Sequence, residues 1–299
     1  MPGGGVHGKM SREEFRQIRV DGCEIVGRGA HGIVYKIAPD EVVKVYREDV
    51  PLERIKAEKN RARRALILGV PTAISFDIVK VGNHYGAVYE LLDAESTEKY
   101  INSSRDHLER FIEMSTELLK VIHAIDVSTD DLADMKADHL KWIGNVADLI
   151  GADTAEKIRD TVLEVPDSRK LLHGDFHMKN IIICRGEPML IDMDTLSFGD
   201  PVFDLATMSN SYRIFPRMNP EAATVHLGIS VEDAAYIWER SLALLRPDLS
   251  GQEKAEADRK IQILGILRIL DFARRGSDPI LRELIIRKGL DDLHEILQH

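Results

Sequence analysis

Two polar residues, Asp175 and Asn180, stand in the string His173-Gly174-Asp175-Phe176-His177-Met178-Lys179-Asn180 between apolar runs Leu171-Leu172 and Ile181-Ile182-Ile183. Asp192 follows at the end of a further apolar run, Met189-Leu190-Ile191. Phosphoryl transfer needs a carboxylate that orients and deprotonates an attacking hydroxyl, and oxygen ligands that hold Mg2+ on the phosphates. Asp175 suits the first role, and Asn180 with Asp192 the second. Acidic residues also flank strands in ordinary turns. Here the set follows a glycine loop and a strand lysine in a fixed order, which makes coincidence a poor account.

The glycine loop is Gly27-Arg28-Gly29-Ala30-His31-Gly32, continuing into Ile33-Val34-Tyr35-Lys36. Spaced glycines can mark nothing more than a hairpin turn. In a dinucleotide-binding fold the motif must open a helix, whereas β-branched Ile33 and Val34 continue into a strand. Between two antiparallel strands the loop can instead fold over a triphosphate and offer backbone N–H groups. Lys44, in Glu41-Val42-Val43-Lys44-Val45-Tyr46, either faces solvent or points to the face the glycine loop covers, since alternation sets it opposite Val43 and Val45. In the second case its ammonium reaches the α and β phosphates and needs a carboxylate to hold it. Glu53 and Glu58 are the candidates. Glu58 is favoured because it lies deeper in the following helix, whereas Glu53, in its first turn, complements the helix dipole.

These residues require a scaffold of two kinds. Cys23 to Tyr46 reads as three short strands broken by the glycine turn and by Pro39-Asp40. Pro51 opens a charged helical segment that stops at Gly69 before Pro71, and two strands follow, about 73–81 and 85–91. The expectation is a five-stranded antiparallel sheet with one helix. Beyond Asp93 apolar residues recur at helical spacing over about 108–122, 131–150, 231–246, 254–274 and 279–297. The predicted organisation is a flexible tail over 1–15, a nucleotide-binding lobe over 16–92, and a mainly helical lobe over 93–299 carrying the catalytic loop and the acceptor site.

The string HGDFHMKN, followed by IDMDTLSFGDPVFDLA, resembles the catalytic and metal-binding motifs of the aminoglycoside phosphotransferase and choline kinase-like family, whose superfamily also holds homoserine, fructosamine and methylthioribose kinases. The matching motifs run from Gly27 through Asp204. The resemblance implies an α+β, bilobal, protein-kinase-like fold. It implies Asp175 as catalytic base, Asn180 and Asp192 as Mg2+ ligands, Lys44 paired with Glu58, and Asp204 as a carboxylate that braces the catalytic loop, with His173 as the loop's anchor. His177 falls where protein kinases place a lysine near the transferred phosphate, as a phosphate contact or as a loop histidine. Asp194 either approaches a second metal or points to solvent. In such a fold the base of the nucleotide lies against Tyr89-Glu90-Leu91-Leu92 and is read by backbone at positions matching Glu90 and Leu92. Backbone readout leaves ATP as the default and does not exclude GTP.

Three features direct the reading away from protein substrates. Gly174, not arginine, precedes Asp175; the chain passes from Asp192 to Gly199-Asp200-Pro201 without room for an activation loop; and no Ala-Pro-Glu anchor follows. A binding module built on a decayed kinase typically lacks the base, the lysine or a metal ligand, and none is lacking here. The acceptor is therefore expected to be a small hydroxyl compound. Between Asp126 and Lys170 there are 11 acidic and 6 basic residues, which either attract a cationic acceptor such as an aminoglycoside or simply solvate a helical surface. Trp142, Tyr212 and Trp238 are either acceptor-stacking residues or core. A formal net charge of −10 argues against a nucleic-acid partner. Cys23 and Cys184 form no metal or redox motif. No apolar run approaches about 18 residues and the N-terminus has no apolar signal core, so a cytoplasmic, membrane-free location is expected. Oligomeric state leaves no signature.

Overall fold

Residues 14–29, 32–128, 131–276 and 278–298 are described by a computed structural model, and their contacts separate two units. One covers Met1–Arg63 and Ala73–Leu92, the other Arg64–Thr72 and Asp93–His299. Residues 1–13 of the expected tail, and Ala30 and His31 of the glycine loop, lie outside the described residues.

The first unit is a sheet with one helix. Its strands are β1 (Arg16–Ile18), β2 (Ile25–Gly29), β3 (Gly32–Lys36), β4 (Glu41–Tyr46), β5 (Ser75–Val81) and β6 (His84–Glu90), in spatial order β1-β5-β6-β4-β3-β2. Helix α1 (Leu52–Ile67) follows Pro51 and stops before Gly69, where the breakers placed its ends. The sheet has six strands, not five, and is not wholly antiparallel, because β1 pairs parallel with β5. Three residues at an edge are too short to show a period of two, so this strand left no pattern in the sequence. Alternation along β4 divides its side chains. Val43 packs with Val79, Val81 and Val88 on one face, while Tyr46 packs with Ile55 of α1 and Ala87 on the other.

The second unit begins with β7 (Ala94–Ser96), α2 (Thr97–Ile101), α3 (Arg105–Ala124), β8 (Ala133–Asp134), α4 (Met135–Ile150) and α5 (Ala152–Leu163). Strands β9 (Lys170–Leu172), β10 (Ile181–Cys184), β11 (Glu187–Leu190) and β12 (Ser197–Gly199) then form short ladders, β11-β10-β7 and β8-β12-β9. The chain closes with α6 (Val202–Ser209), α7 (Phe215–Met218), α8 (Pro220–Leu227), α9 (Val231–Leu245), α10 (Gly251–Arg275) and α11 (Pro279–Gln298). Helix α10 is the axis of the core. Ile263, Leu264, Ile266, Leu267, Ile269 and Leu270 pack against Ile143 and Val146 of α4, Ile158 and Val162 of α5, Phe203 of α6 and Ile285 of α11. A helix buried on nearly all sides is the expected outcome of so continuous an apolar sequence.

Two departures from the periodic reading have local causes. The stripe expected from residue 131 starts as a helix at Met135, because the Asp134 side chain accepts the N–H groups of Lys136 and Ala137 and fixes the helix start. Helix α6 was not among the expected helices, since Phe203 through Ser209 are all buried and leave no polar face to mark a period. Among the described residues no helix is long and apolar enough to cross a membrane.

His139 of α4 is buried, its ring against Trp142 and Phe203, and its Nδ1 bonds to the Met135 carbonyl. Burial drives its pKa from 6.5 to about 3. The unfolded chain therefore binds more protons than the folded one between about pH 3 and 6.5, and stability must rise with pH across that window. Urea titrations should show a loss on the order of 2 kcal/mol from this residue between pH 7 and pH 5. His139→Leu should lose less over the same interval than the parent, and parallel losses would contradict the assignment.

Candidate active site

A short hairpin gathers the residues singled out in the sequence. Arg185 and Gly186, both with positive φ, form a two-residue turn between β10 and β11, the arrangement whose twist matches a tight hairpin. Register pairs Ile181 with Leu190, so the residues just outside the ladder, Asn180 and Ile191, are neighbours, and the Ile191 N–H donates to the Asn180 carbonyl at 2.9 Å. Asp192 comes next. Its backbone adopts left-handed geometry (φ 61°, ψ 72°), costly for a residue with a side chain, and its side chain is exposed.

The other side of the hairpin is the loop His173–Asn180. Gly174 has φ +77°, and a Cβ there would lie 2.3 Å from the Thr195 carbonyl oxygen, so only glycine fits. Asp204, at the start of α6 and wholly buried, accepts the N–H of His173 at 3.0 Å and of Gly174 at 2.7 Å, and pairs with His123 Nε2 at 2.9 Å. Burial opposes ionisation of Asp204; the hydrogen bond and charge of His123, the charge of His173 and the Gly174 N–H outweigh it, and its carboxyl stays below the usual range. The His173 carbonyl is held by the Thr195 hydroxyl at 2.9 Å, and the Met178 N–H donates to the Tyr212 hydroxyl at 2.6 Å. Tyr212 and Trp238 are core residues, whereas Trp142 is only partly buried.

Within this frame Asp175 is about 40% exposed and surrounded by donors. Its Oδ2 lies 3.3 Å from His177 Nε2 and accepts from Asn180 Nδ2 at 3.2 Å; its Oδ1 lies 3.5 Å from Arg268 Nη2. His177 Nδ1 accepts the Lys179 N–H, which leaves Nε2 to carry the proton toward Asp175. Burial raises the Asp175 pKa, but the hydrogen bond from His177, together with the Arg268 guanidinium, overcomes it. The carboxyl ends well below the ordinary carboxylate range. Since the Asn180 amide nitrogen is spent on the Asp175 carboxylate and carbonyl, its amide oxygen remains as an acceptor. Asp194 sits in the turn Met193–Thr195 that follows.

In the first unit Lys44 Nζ lies 2.6 Å from Glu58 Oε1, with Glu58 buried. Glu53 instead approaches Lys56 at 3.5 Å from an exposed position. Gly29 and Gly32 face each other across β2 and β3. A Cβ at Gly32 would lie 2.2 Å from the Val45 carbonyl oxygen, so glycine is required there by close strand approach, whereas Gly29 has open space around it. Gly27 lies beside Val34. Glu90 ends β6 with its N–H bonded to the Ile74 carbonyl; the Leu91 N–H goes to Asp40, and the Leu92 N–H has no partner among the described residues.

A profile of the phosphotransferase enzyme family matches residues 23–240, a stretch that holds every one of these groups except Arg268. The chain belongs to this family. As a member, this phosphotransferase is a small-molecule kinase that moves phosphate to a hydroxyl. Its fold is that of solved relatives at low identity. An ADP-bound aminoglycoside phosphotransferase, APH(2'')-Ib, superposes with a TM-score of 0.60 at 16% identity over 96% of this chain and 95% of that one. A GDP and kanamycin complex of a second APH(2'') enzyme gives 0.61 at 16% over 94% of each. A choline/ethanolamine kinase family protein from Mesorhizobium loti gives 0.57 at 12% over 93% and 88%. No curated protein matches by sequence.

His123, Tyr212 as a hydrogen-bonding group, and Arg268 were not foreseen. Each comes from a helix far in sequence from the loop it touches, and none carries a local motif. The dependence of the loop on Asp204 is measurable. Asp204→Ala in this phosphotransferase would strand two buried N–H donors and the His123 ring, and urea denaturation should show a loss of about 3–5 kcal/mol. A loss below about 1 kcal/mol, the range of ordinary surface changes, would contradict the bracing role.

Proposed function

We propose that the chain is an ATP- and Mg2+-dependent phosphotransferase that transfers the γ-phosphate to a hydroxyl of a small acceptor. The observation that carries this is the convergence of Asp175, Asn180 and Asp192 at one end of a hairpin, with Asp175 ionised and half-accessible. Asp175 is the base. It accepts the proton of the acceptor hydroxyl as the oxygen attacks phosphorus, while His177 and Asn180 hold its other oxygen edge in place. His177 is in this reading a positioning residue, since its two ring nitrogens serve Asp175 and the Lys179 N–H.

The donor set fits Mg2+, a hard cation served by oxygen: the free amide oxygen of Asn180 and the exposed carboxylate of Asp192. When bound there the ion supplies charge neutralisation on the phosphates. Left-handed backbone at Asp192 is the local cost of aiming that carboxylate. Lys44, fixed by Glu58, contacts the α and β phosphates, and the backbone of the glycine loop at Gly27, Gly29 and Gly32 covers them. The Leu92 N–H, without a partner among the described residues, and the Glu90 backbone read the base. Such readout admits ATP and GTP alike, and the solved relatives include ADP, ATP and GDP complexes. In this reading residues 16–92 are the nucleotide lobe and 93–299 the catalytic lobe, and use of ATP suits a cytoplasmic enzyme.

Asp175→Asn keeps the shape of the side chain and removes the base. ADP release with a competent acceptor should fall by about 100- to 10,000-fold, while the thermal shift produced by Mg-ATP persists. Undiminished turnover would remove Asp175 from the mechanism; absence of any Mg-ATP shift in the parent protein would remove the nucleotide.

A further inference from the structure

Arg268 stands out in the core helix. From Ile261 to Asp271 every residue of α10 is buried except Arg268, whose side chain retains about 20% exposure. It reaches the catalytic loop, with Nη2 3.5 Å from Asp175 Oδ1, and its guanidinium carbon lies 6.0 Å from the Trp142 ring centroid. A guanidinium carries five N–H donors in a planar fork. Among the described residues Asp175 is its only hydrogen-bond partner, at the long limit of such a contact, so most of the fork is uncommitted. A largely buried cation with spare donors, beside a half-exposed carboxylate, is a poor stability device and a good anion reader.

The charges around it point the same way. The acidic residues of 126–170 could have formed a surface for a cationic acceptor, but the structure spends many of them elsewhere. Asp126 pairs with Lys170, Asp131 with Arg64, Asp148 with Arg274, Glu164 with Lys260 and Asp167 with Lys136, and Asp134 caps α4. On α10 itself Asp271 is held by Arg275 at 2.5 Å and by Asn145 at 2.7 Å. Among the described residues Asp138 of α4 is a nearby acid without such a partner, and burial first, then Asp134 and Asp271, hold its carboxyl above the usual range despite Lys141 and Arg268. What faces the base is a fixed positive charge, not a row of free carboxylates.

We infer that Arg268 selects the acceptor: the hydroxyl compound carries an anionic group, a carboxylate in the first place, which the Arg268 fork binds while its hydroxyl meets Asp175. This rests on the phosphotransferase reading and narrows its acceptor. Because Arg268 and Asp175 are adjacent, the anionic group and the reacting hydroxyl are separated by only a few bonds, as in a short hydroxy acid. Trp142 walls the site beside the guanidinium. The transfer itself is unchanged: the O–P bond to the acceptor forms as the bond to ADP breaks, and the hydroxyl proton passes to Asp175.

Calorimetric titration of the Mg-ADP form with three probes tests this: a three- to five-carbon hydroxy acid series, the matching hydroxy amides, and the matching amino alcohols. Parent protein should bind an acid at least ~100-fold tighter than its amide or amine. Arg268→Ala should erase that preference, and Arg268→Lys, which keeps the charge without the fork, should restore part of it. A hydroxy acid carrying phosphate in place of carboxylate distinguishes the two anions by which binds tighter, and either preference supports the anion reader. Equal or tighter binding of the amide or amine, no measurable binding of any acid, or a preference unchanged in Arg268→Ala overturns it. The Mg-ATP thermal shift of each variant, recorded alongside, reports on the phosphotransferase reading separately: its presence with no acid preference defeats only the acceptor assignment.

Discussion

The loop His173–Asn180 depends on one buried carboxylate. Asp204 has no solvent exposure, and it is kept ionised because it receives two consecutive loop N–H groups and the His123 ring. A buried charge of this kind is tolerable only when every lone pair is used. The reverse also holds: the loop backbone at His173 and Gly174 has this shape because the carboxylate fixes where those N–H groups point. Glycine at 174 is then forced by positive φ and the nearby Thr195 carbonyl, and Asp175 emerges in a set direction. One helix start thus determines the aim of the Asp175 side chain.

From that anchor the remaining geometry follows by short steps. A two-residue hairpin turn brings Asn180 and Asp192 to the same end of β10 and β11, so residues distant in sequence become near neighbours without a long connection. Asn180 then links the halves, giving its amide nitrogen to Asp175 and its carbonyl to the Ile191 N–H. The same economy occurs in the first unit, where alternation on β4 turns Lys44 and Tyr46 toward α1 and Glu58 completes the pair. The electrostatics of Asp175 are set from two directions, by His177 and Arg268, and their joint effect exceeds the burial that opposes it. In the proposed transfer a carboxylate so stabilised as the anion is a weak proton acceptor, which suits a role that chiefly orients the hydroxyl.

Much of this was legible in the residues because it is local. The glycine spacing, the strand lysine and the HGDFHMKN string each follow from short-range geometry, as do the breakers that bound α1. What the sequence concealed is what depends on tertiary contact. Strand β1 is too short to show a period, α6 too buried to show a polar face, and Arg268 lies in a run whose apolar neighbours declare only a core helix. The acidic count of 126–170 left two readings open for the same reason. Counting charges along a chain cannot reveal that Arg64, Lys260 and Arg274, from outside the segment, pair with Asp131, Glu164 and Asp148. The Glu58 partner of Lys44 was readable from its depth in the helix, whereas the His123 partner of Asp204 was not, since nothing local ties α3 to α6.

Amide hydrogen exchange measures the central constraint directly. If Asp204 holds the loop, the N–H groups of His173 and Gly174 open only when the second unit unfolds, and their exchange should track its global stability. Exchange of these two amides at the rate of an exposed loop, with the α10 core still protected, would show that the carboxylate does not fix the loop His173–Asn180.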